Sequence, residues 1–101
     1  MAGMLAISRF RYDEASADAA EGELGRCLAG LSACTGYLTG AVGRAMDDPR
    51  LWVLETRWES VGAYRRALSS YEIRLTVVPL LSRALDEPSA FEVIVGEVGN
   101  R

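Results

Sequence analysis

The sequence predicts an α+β domain, an antiparallel sheet with helices on one face, in the order β-α-β-β-α-β. Three observations predict it. Residues 51–68, LWVLETRWESVGAYRRAL, change period partway along. Trp52, Leu54, Thr56 and Trp58 alternate with Leu51, Val53, Glu55 and Arg57, as in a strand; Val61, Tyr64, Ala67 and Leu68 then recur at helical spacing. An earlier segment makes the same handover, with strand-like alternation over 4–12 leading into helical spacing over 16–34. Between these halves, Asp47-Asp48-Pro49 is a turn that joins two strand-like runs into a hairpin.

Each element has its own local reason. In the first strand Met4, Ala6, Ser8, Phe10 and Tyr12 form a largely apolar face, and Leu5, Ile7, Arg9 and Arg11 a mixed one. Asp13-Glu14 ends it. In the first helix Ala20, Leu24, Cys27, Leu28 and Leu31 form the apolar stripe. Asp18 and Glu21 suit a capping box if the helix starts there. Gly22 and Gly25 weaken this helix by about 1 kcal/mol each relative to Ala. Thr35-Gly36 stops it, Gly being the usual left-handed residue after a helix. The second strand, 37–46, contains Gly40 and Gly43, which mark a bulge or a close backbone approach. The facing of Tyr37 is left open by this pattern. Ser60 is a good N-cap for the helix that follows strand three. Residues 69–85 read as two short helical pieces around a kink at Pro79. Asp86-Glu87-Pro88 is a turn, and Phe91, Val93 and Val95, alternating with Glu92, Ile94 and Gly96, predict a final strand. Residues 99–101 read as tail.

This order is the ferredoxin-like, split β-α-β-β-α-β arrangement. Ser8, Phe10, Trp52, Leu54, Thr56 and Trp58 are expected under the helices. The opposite face still carries Leu51 and Val53, and the fourth strand is apolar on both sides. An apolar face of this kind usually marks an interface.

The chain has 101 residues and is expected to form a single domain, 1–101. Its net charge is −3; all 11 basic residues are Arg and form no stripe, so no nucleic-acid partner is expected. Residues 1–4 lead straight into the first strand, with no signal peptide and no membrane-spanning segment expected. Cys27 and Cys34 lie about two helical turns apart, roughly 10 Å, too far for a disulfide. They read as free thiols, and the expected location is cytoplasmic. The chain contains no His, Lys or Gln, and its only Asn is Asn100. That inventory excludes a His base, a His metal or haem ligand, a Lys Schiff base and a Ser-His triad. CxxC, GxGxxG and the P-loop are absent as well. Asp47-Asp48 is a turn without a third hard ligand nearby in sequence.

Residues 36–70, GYLTGAVGRAMDDPRLWVLETRWESVGAYRRALSS, resemble the antibiotic biosynthesis monooxygenase family. The resemblance rests on the glycine-entered second strand, the DDP turn, and Trp58-Glu59-Ser60 followed by an aromatic in the next helix. It implies a homodimer forming a dimeric α+β barrel, with a pocket in each subunit between sheet and helices. It also implies cofactor-independent oxidation of aromatic quinone precursors or quinols in some members and haem degradation in others. For the haem-degrading branch, Trp58 matches the expected Trp, Ser8 stands where an Asn would fall, and the His position falls near Val77. With no His in the chain, haem degradation is not expected. For the aromatic-oxidising branch, Trp58 and Tyr64 or Tyr71 match, while the Asn does not.

The expected site is therefore a crevice where strand three delivers Trp58, the next helix sets Tyr64 one turn in, and strand one contributes Ser8 and Phe10. Tyr71, after two serines at a helix break, is a further candidate. Trp52 reads as core or interface, and Arg65-Arg66 as a solvated helix face. No cofactor is expected. One functional reading is a monooxygenase acting on a planar phenol or quinol, in which the substrate itself reduces O₂ and the protein supplies a dry, orienting pocket. The alternatives are a non-catalytic binding module for a small aromatic or lipid-like ligand, or a structural dimer.

Overall fold

The alternation at 51–58 builds the middle of the sheet. In the computed structural model, which describes residues 3–97, the strands are β1 (Met4–Arg11), β2 (Tyr37–Arg44), β3 (Leu51–Trp58) and β4 (Ala90–Glu92). They form one antiparallel sheet in the order β2-β3-β1-β4. The expected tail at 99–101 lies outside the described residues. β1 pairs with β3 along its whole length, from Met4 opposite Trp58 to Arg11 opposite Leu51. Opposed residues share a face, so Met4, Ala6, Ser8 and Phe10 meet Trp58, Thr56, Leu54 and Trp52 under the helices, and all eight are buried.

A 3₁₀ turn at Glu14–Ser16 leads into α1 (Ala17–Ser32), which buries Ala20, Leu24, Cys27 and Leu31 against the sheet. The helix begins before Asp18, so the Asp18–Glu21 capping box does not form. Asp18 lies instead in the first turn, where its charge suits the helix dipole. Gly36 turns the chain into β2 with φ +92°, the left-handed region expected of it. The bulge in β2 falls between Tyr37 and Thr39, not at a glycine. Gly40 marks the close approach: a Cβ there would lie 2.8 Å from both the Glu55 carbonyl oxygen and Tyr37 Oη.

Ser60 caps α2 (Val61–Ser69), its Oγ accepting the Ala63 N–H at 3.1 Å. The buried stripe of α2 is Ala63 and Ala67, flanked by half-buried Tyr64 and Leu68. Val61 lies at the margin of that stripe and is exposed, contrary to the expected facing. The two further helical pieces are α3 (Tyr71–Thr76) and α4 (Val78–Leu81), broken at Val77. Pro79 sits in the first turn of α4, where its missing N–H costs nothing.

The last strand is shorter than the expected alternation over 91–96. β4 pairs only with Met4, Leu5 and Ala6, and the Val93 N–H reaches the Gly3 carbonyl at 3.0 Å. Among the described residues no further ladder pairing of this segment is present. Ile94 and Val95 are accordingly 79% and 91% exposed. Ahead of β4 the chain follows the same edge of β1: the Ile7 N–H donates to the Ser89 carbonyl at 2.7 Å, and the Leu85 N–H to the Arg9 carbonyl at 2.8 Å.

At the far end of the sheet Tyr12 donates its hydroxyl proton to Glu23 Oε1 at 3.0 Å and packs edge-on against Trp52. Burial, then the hydrogen bond to Glu23 and the charge of that carboxylate, push the Tyr12 phenol up from 10.0 to about 12. The folded state therefore holds this proton more tightly than the unfolded chain does. The stabilisation is complete below pH 10 and is lost as pH rises through 12. Urea unfolding followed across this window is expected to show falling stability, with a shallower fall in Tyr12→Phe. An unchanged slope in the variant would remove Tyr12 as a source.

Candidate functional site

Ser8 lies on the helix-covered face of β1, at the point where the chain ahead of β4 bows away from the β1 edge. That chain is anchored on either side, by Ile7 to Ser89 and by Leu85 to Arg9. Between them a cleft of about 490 Å³ opens. Ser8 is one wall; Tyr64 and Leu68 of α2, and Val78 and Leu81 of α4, are others. The chain at 82–89 closes the outer side with Ser82, Ala84, Leu85, Asp86, Glu87 and Ser89. The walls are mostly apolar with a few polar points, the usual character of a small-molecule site.

Three wall hydroxyls have no hydrogen-bond partner among the described residues: Ser8 Oγ, Tyr64 Oη and Ser89 Oγ. Ser8 is only 8% exposed as a residue, and its hydroxyl is reached through the cleft. Burial pushes the Tyr64 phenol up, which keeps it protonated and makes it a hydrogen-bond donor toward the cleft. Ser82 is engaged, donating to the Pro79 carbonyl at 2.7 Å. Glu87 is engaged too, accepting from Arg9 Nε at 2.6 Å and Nη2 at 2.8 Å. Those bonds, and then the Arg9 charge, hold the Glu87 carboxyl below its ordinary range.

The structure divides the residues expected to share one crevice. Ser8 and Tyr64 do line one cleft. Trp58 does not reach it: the indole is 0% exposed, with its N–H donated to Thr56 Oγ1 at 2.8 Å. Tyr64 tilts against it at 5.4 Å between ring centroids and Tyr37 meets it edge-on at 5.5 Å, so Trp58 stands one ring back from the cleft. Phe10 is buried core and not a wall of the cleft. Tyr71 is 78% exposed and also outside it, because it opens α3, whose buried contact is Ile73. The sequence reading missed the outer wall, 82–89. That segment has no apolar period, and only the two backbone bonds to β1 bring it over Ser8. It also left the facing of Tyr37 open, which the pairing of Tyr37 with Trp58 answers.

Trp52, read as core or interface, is buried with the Arg44 guanidinium 5.2 Å from its ring centroid, and its Nε1 has no partner among the described residues. Cys27 and Cys34 are free thiols, each pushed up by burial. Among the described residues no group of His, Cys, Asp or Glu could hold a metal ion, and no helix is long and apolar enough to cross a membrane.

No protein-family model matches the chain, and no curated protein matches its sequence. Solved structures do match. A single-site variant of SnoaB, a cofactor-independent oxygenase from Streptomyces nogalater, superposes with a TM-score of 0.79 at 19% identity, covering 93% of this chain and 95% of SnoaB. A candidate antibiotic biosynthesis monooxygenase from Deinococcus radiodurans gives 0.71 at 15% identity, over 97% of each chain. A conserved protein from Methanosarcina mazei gives 0.71 at 14% identity, over 92% of each. With its antiparallel sheet, its helices on one face and a cleft between them, the chain has the α+β, ferredoxin-like fold of the antibiotic biosynthesis monooxygenases.

Proposed function

We propose that the cleft over Ser8 and Tyr64 binds a planar phenol or quinol, and that the protein is a cofactor-independent monooxygenase of that ligand. The observation that carries this reading is the set of wall hydroxyls without partners among the described residues, those of Ser8, Tyr64 and Ser89, in a mostly apolar cleft of about 490 Å³. A flat ring stacks on Tyr64 and lies against Leu68, Val78 and Leu81. The Tyr64 hydroxyl donates to a ring oxygen, and Ser8 donates or accepts as the ligand requires. Trp58 acts from behind, by holding the Tyr64 ring. In the reaction the ionised substrate is the reductant and O₂ the oxidant. One oxygen atom ends on a ring carbon as a carbonyl. The other leaves as water with the hydrogens lost from that carbon and from the hydroxyl. SnoaB, with the same fold, is a cofactor-independent oxygenase. The chain has no His or Lys to serve as base, which favours substrates acidic enough to ionise by themselves and also supports a second reading, binding without turnover.

Hydroxynaphthoquinone titrated against intrinsic fluorescence measures binding, and an oxygen electrode with dihydroxynaphthalene measures turnover. Tyr64→Phe keeps the ring and loses one hydrogen bond, for an expected loss of about 3- to 10-fold in affinity. Equal affinity in wild type, Tyr64→Phe and Ser8→Ala would remove the cleft assignment. Binding without protein-dependent oxygen uptake selects the second reading.

The same proposal includes a homodimer. Phe91 is paired with Leu5 and so shares the open face with Ile7, Leu51 and Val53, and Phe91 is itself exposed. This band calls for cover, and burying about 800 Å² per subunit suffices for a stable contact. Sedimentation at micromolar concentration is expected to give a dimer, and Val53→Glu a monomer. A wild-type sample sedimenting only at 11.0 kDa would sink the dimer.

A further inference from the structure

The charge of the cleft is one-sided. Its charged wall residues are Asp86 and Glu87, and no Arg is among them. The two carboxylates differ in availability. Glu87 is taken up by Arg9 through two hydrogen bonds. Arg83, next along the chain from Ser82, is directed to Glu23, 3.6 Å away. Asp86 has no ion pair and no hydrogen bond among the described residues. Ser8 lines the same cleft, more than nine-tenths buried and equally without a partner among the described residues. The remaining polar wall groups are the hydroxyls of Ser82, Ser89 and Tyr64, the last on a ring whose face attracts cations. A carboxylate, free hydroxyl oxygens and an aromatic face together are what a substituted ammonium group seeks: hydrogen-bond acceptors, a counter-charge and a quadrupole.

We propose that the ligand of this cleft is a planar aromatic bearing an aminoalkyl group, its ammonium held by Asp86 at the mouth while the ring lies against Tyr64 and a ring hydroxyl meets Ser8. This rests on the proposed cleft and narrows its substrate class. It also bears on the missing base. An ammonium substituent withdraws electron density and makes a phenol on the same ring more acidic, so the substrate brings part of the acidity that the chain does not supply. A ligand that places an anionic group at the mouth, where the ammonium would sit, is disfavoured by the same carboxylate.

A matched set of naphthalenes tests this: 1-naphthylmethylamine, 1-naphthalenemethanol and 1-naphthoate, each followed by its own fluorescence anisotropy at pH 7 against the full chain. Asp86 is exposed, so the expected discrimination is about fivefold in favour of the amine over the alcohol, and about fivefold against the naphthoate. Asp86→Asn brings the amine to the affinity of the alcohol and leaves the alcohol unchanged. Asp86→Arg inverts the order, and 0.5 M salt compresses it. Asp86 makes no bond to other described residues, so these variants are expected to fold. If all three ligands bind wild type equally, or Asp86→Asn leaves the amine preference intact, the amine assignment falls while the cleft stands. If none of the three binds, the cleft and the amine assignment fall together.

Discussion

Trp58→Ala is expected to lower the unfolding free energy by about 3–5 kcal/mol, the range for emptying a buried aromatic site. The indole is 0% exposed and is held between Tyr37, edge-on at 5.5 Å and 89°, and Tyr64, tilted at 57°. Truncation opens a cavity between those rings and the sheet. It also strands the Thr56 hydroxyl, which is 2% exposed and accepts the indole N–H at 2.8 Å. Each kcal/mol shifts the melting temperature of a domain this size by about 4–8 °C, so a fall of well over 10 °C is expected. Trp58→Phe separates the two losses. It refills most of the space, leaves Thr56 without its donor, and should cost about 1–3 kcal/mol. Urea midpoints of the two variants check this; a Trp58→Ala protein within 1 kcal/mol of wild type would show that the indole is not core. The effect on binding is indirect, through the Tyr64 ring, and so the cleft is better probed at the Tyr64 hydroxyl than at Trp58.

Gly36→Ala is expected to cost about 2–5 kcal/mol from two separable sources. The left-handed backbone, φ +92°, penalises a Cβ by about 1–2 kcal/mol. The new Cβ would also overlap Ala63 Cβ, in the buried stripe of α2, and such overpacking costs about 1–3 kcal/mol. The turn has little room to relax, because the Glu59 N–H is bonded to the Gly36 carbonyl at 2.9 Å and Tyr37 is paired with Trp58. Ala63→Gly in the same background removes the overlap and leaves the dihedral strain. A double-mutant cycle measured by urea unfolding should therefore return a favourable coupling between the two positions; the cost of a helical glycine, about 1 kcal/mol, enters the Ala63→Gly single variant and the double variant alike and cancels. Zero coupling would place Gly36 away from α2.

Much of the fold was legible because its signals are local. The period-two pattern at 51–58 matches β3 in length, Ser60 caps α2, and Gly36 turns the chain after α1. The walls of the candidate cleft were legible in part. Ser8 and Tyr64 carry polar groups on otherwise apolar faces, which is a signal in the sequence itself. Trp58 and Phe10 carry the same signal of burial whether they face a cavity or other side chains, so pattern alone could not separate them from the cleft wall. Tyr71 was drawn in by its neighbours in sequence, while its side chain is placed by the orientation of α3, buried through Ile73.

The alternation of apolar residues, the capping serine and the glycine turn by themselves determined the element order and which face of the sheet is covered, because each depends on contacts a few residues apart. The length of β4 depended on something else: its pairing with Met4, Leu5 and Ala6 of β1, a partner far away in the chain. The cleft depended on residues far apart in the chain. Asp86 and Leu85 stand over Ser8 only because Leu85 bonds to Arg9 and Ser89 to Ile7, so the outer wall is set by backbone pairing across the molecule and leaves no period in the sequence. Whether Trp58 or Tyr64 would face that space was likewise decided in three dimensions, by the Thr56 hydroxyl that holds the indole in the core and leaves the phenol at the cleft.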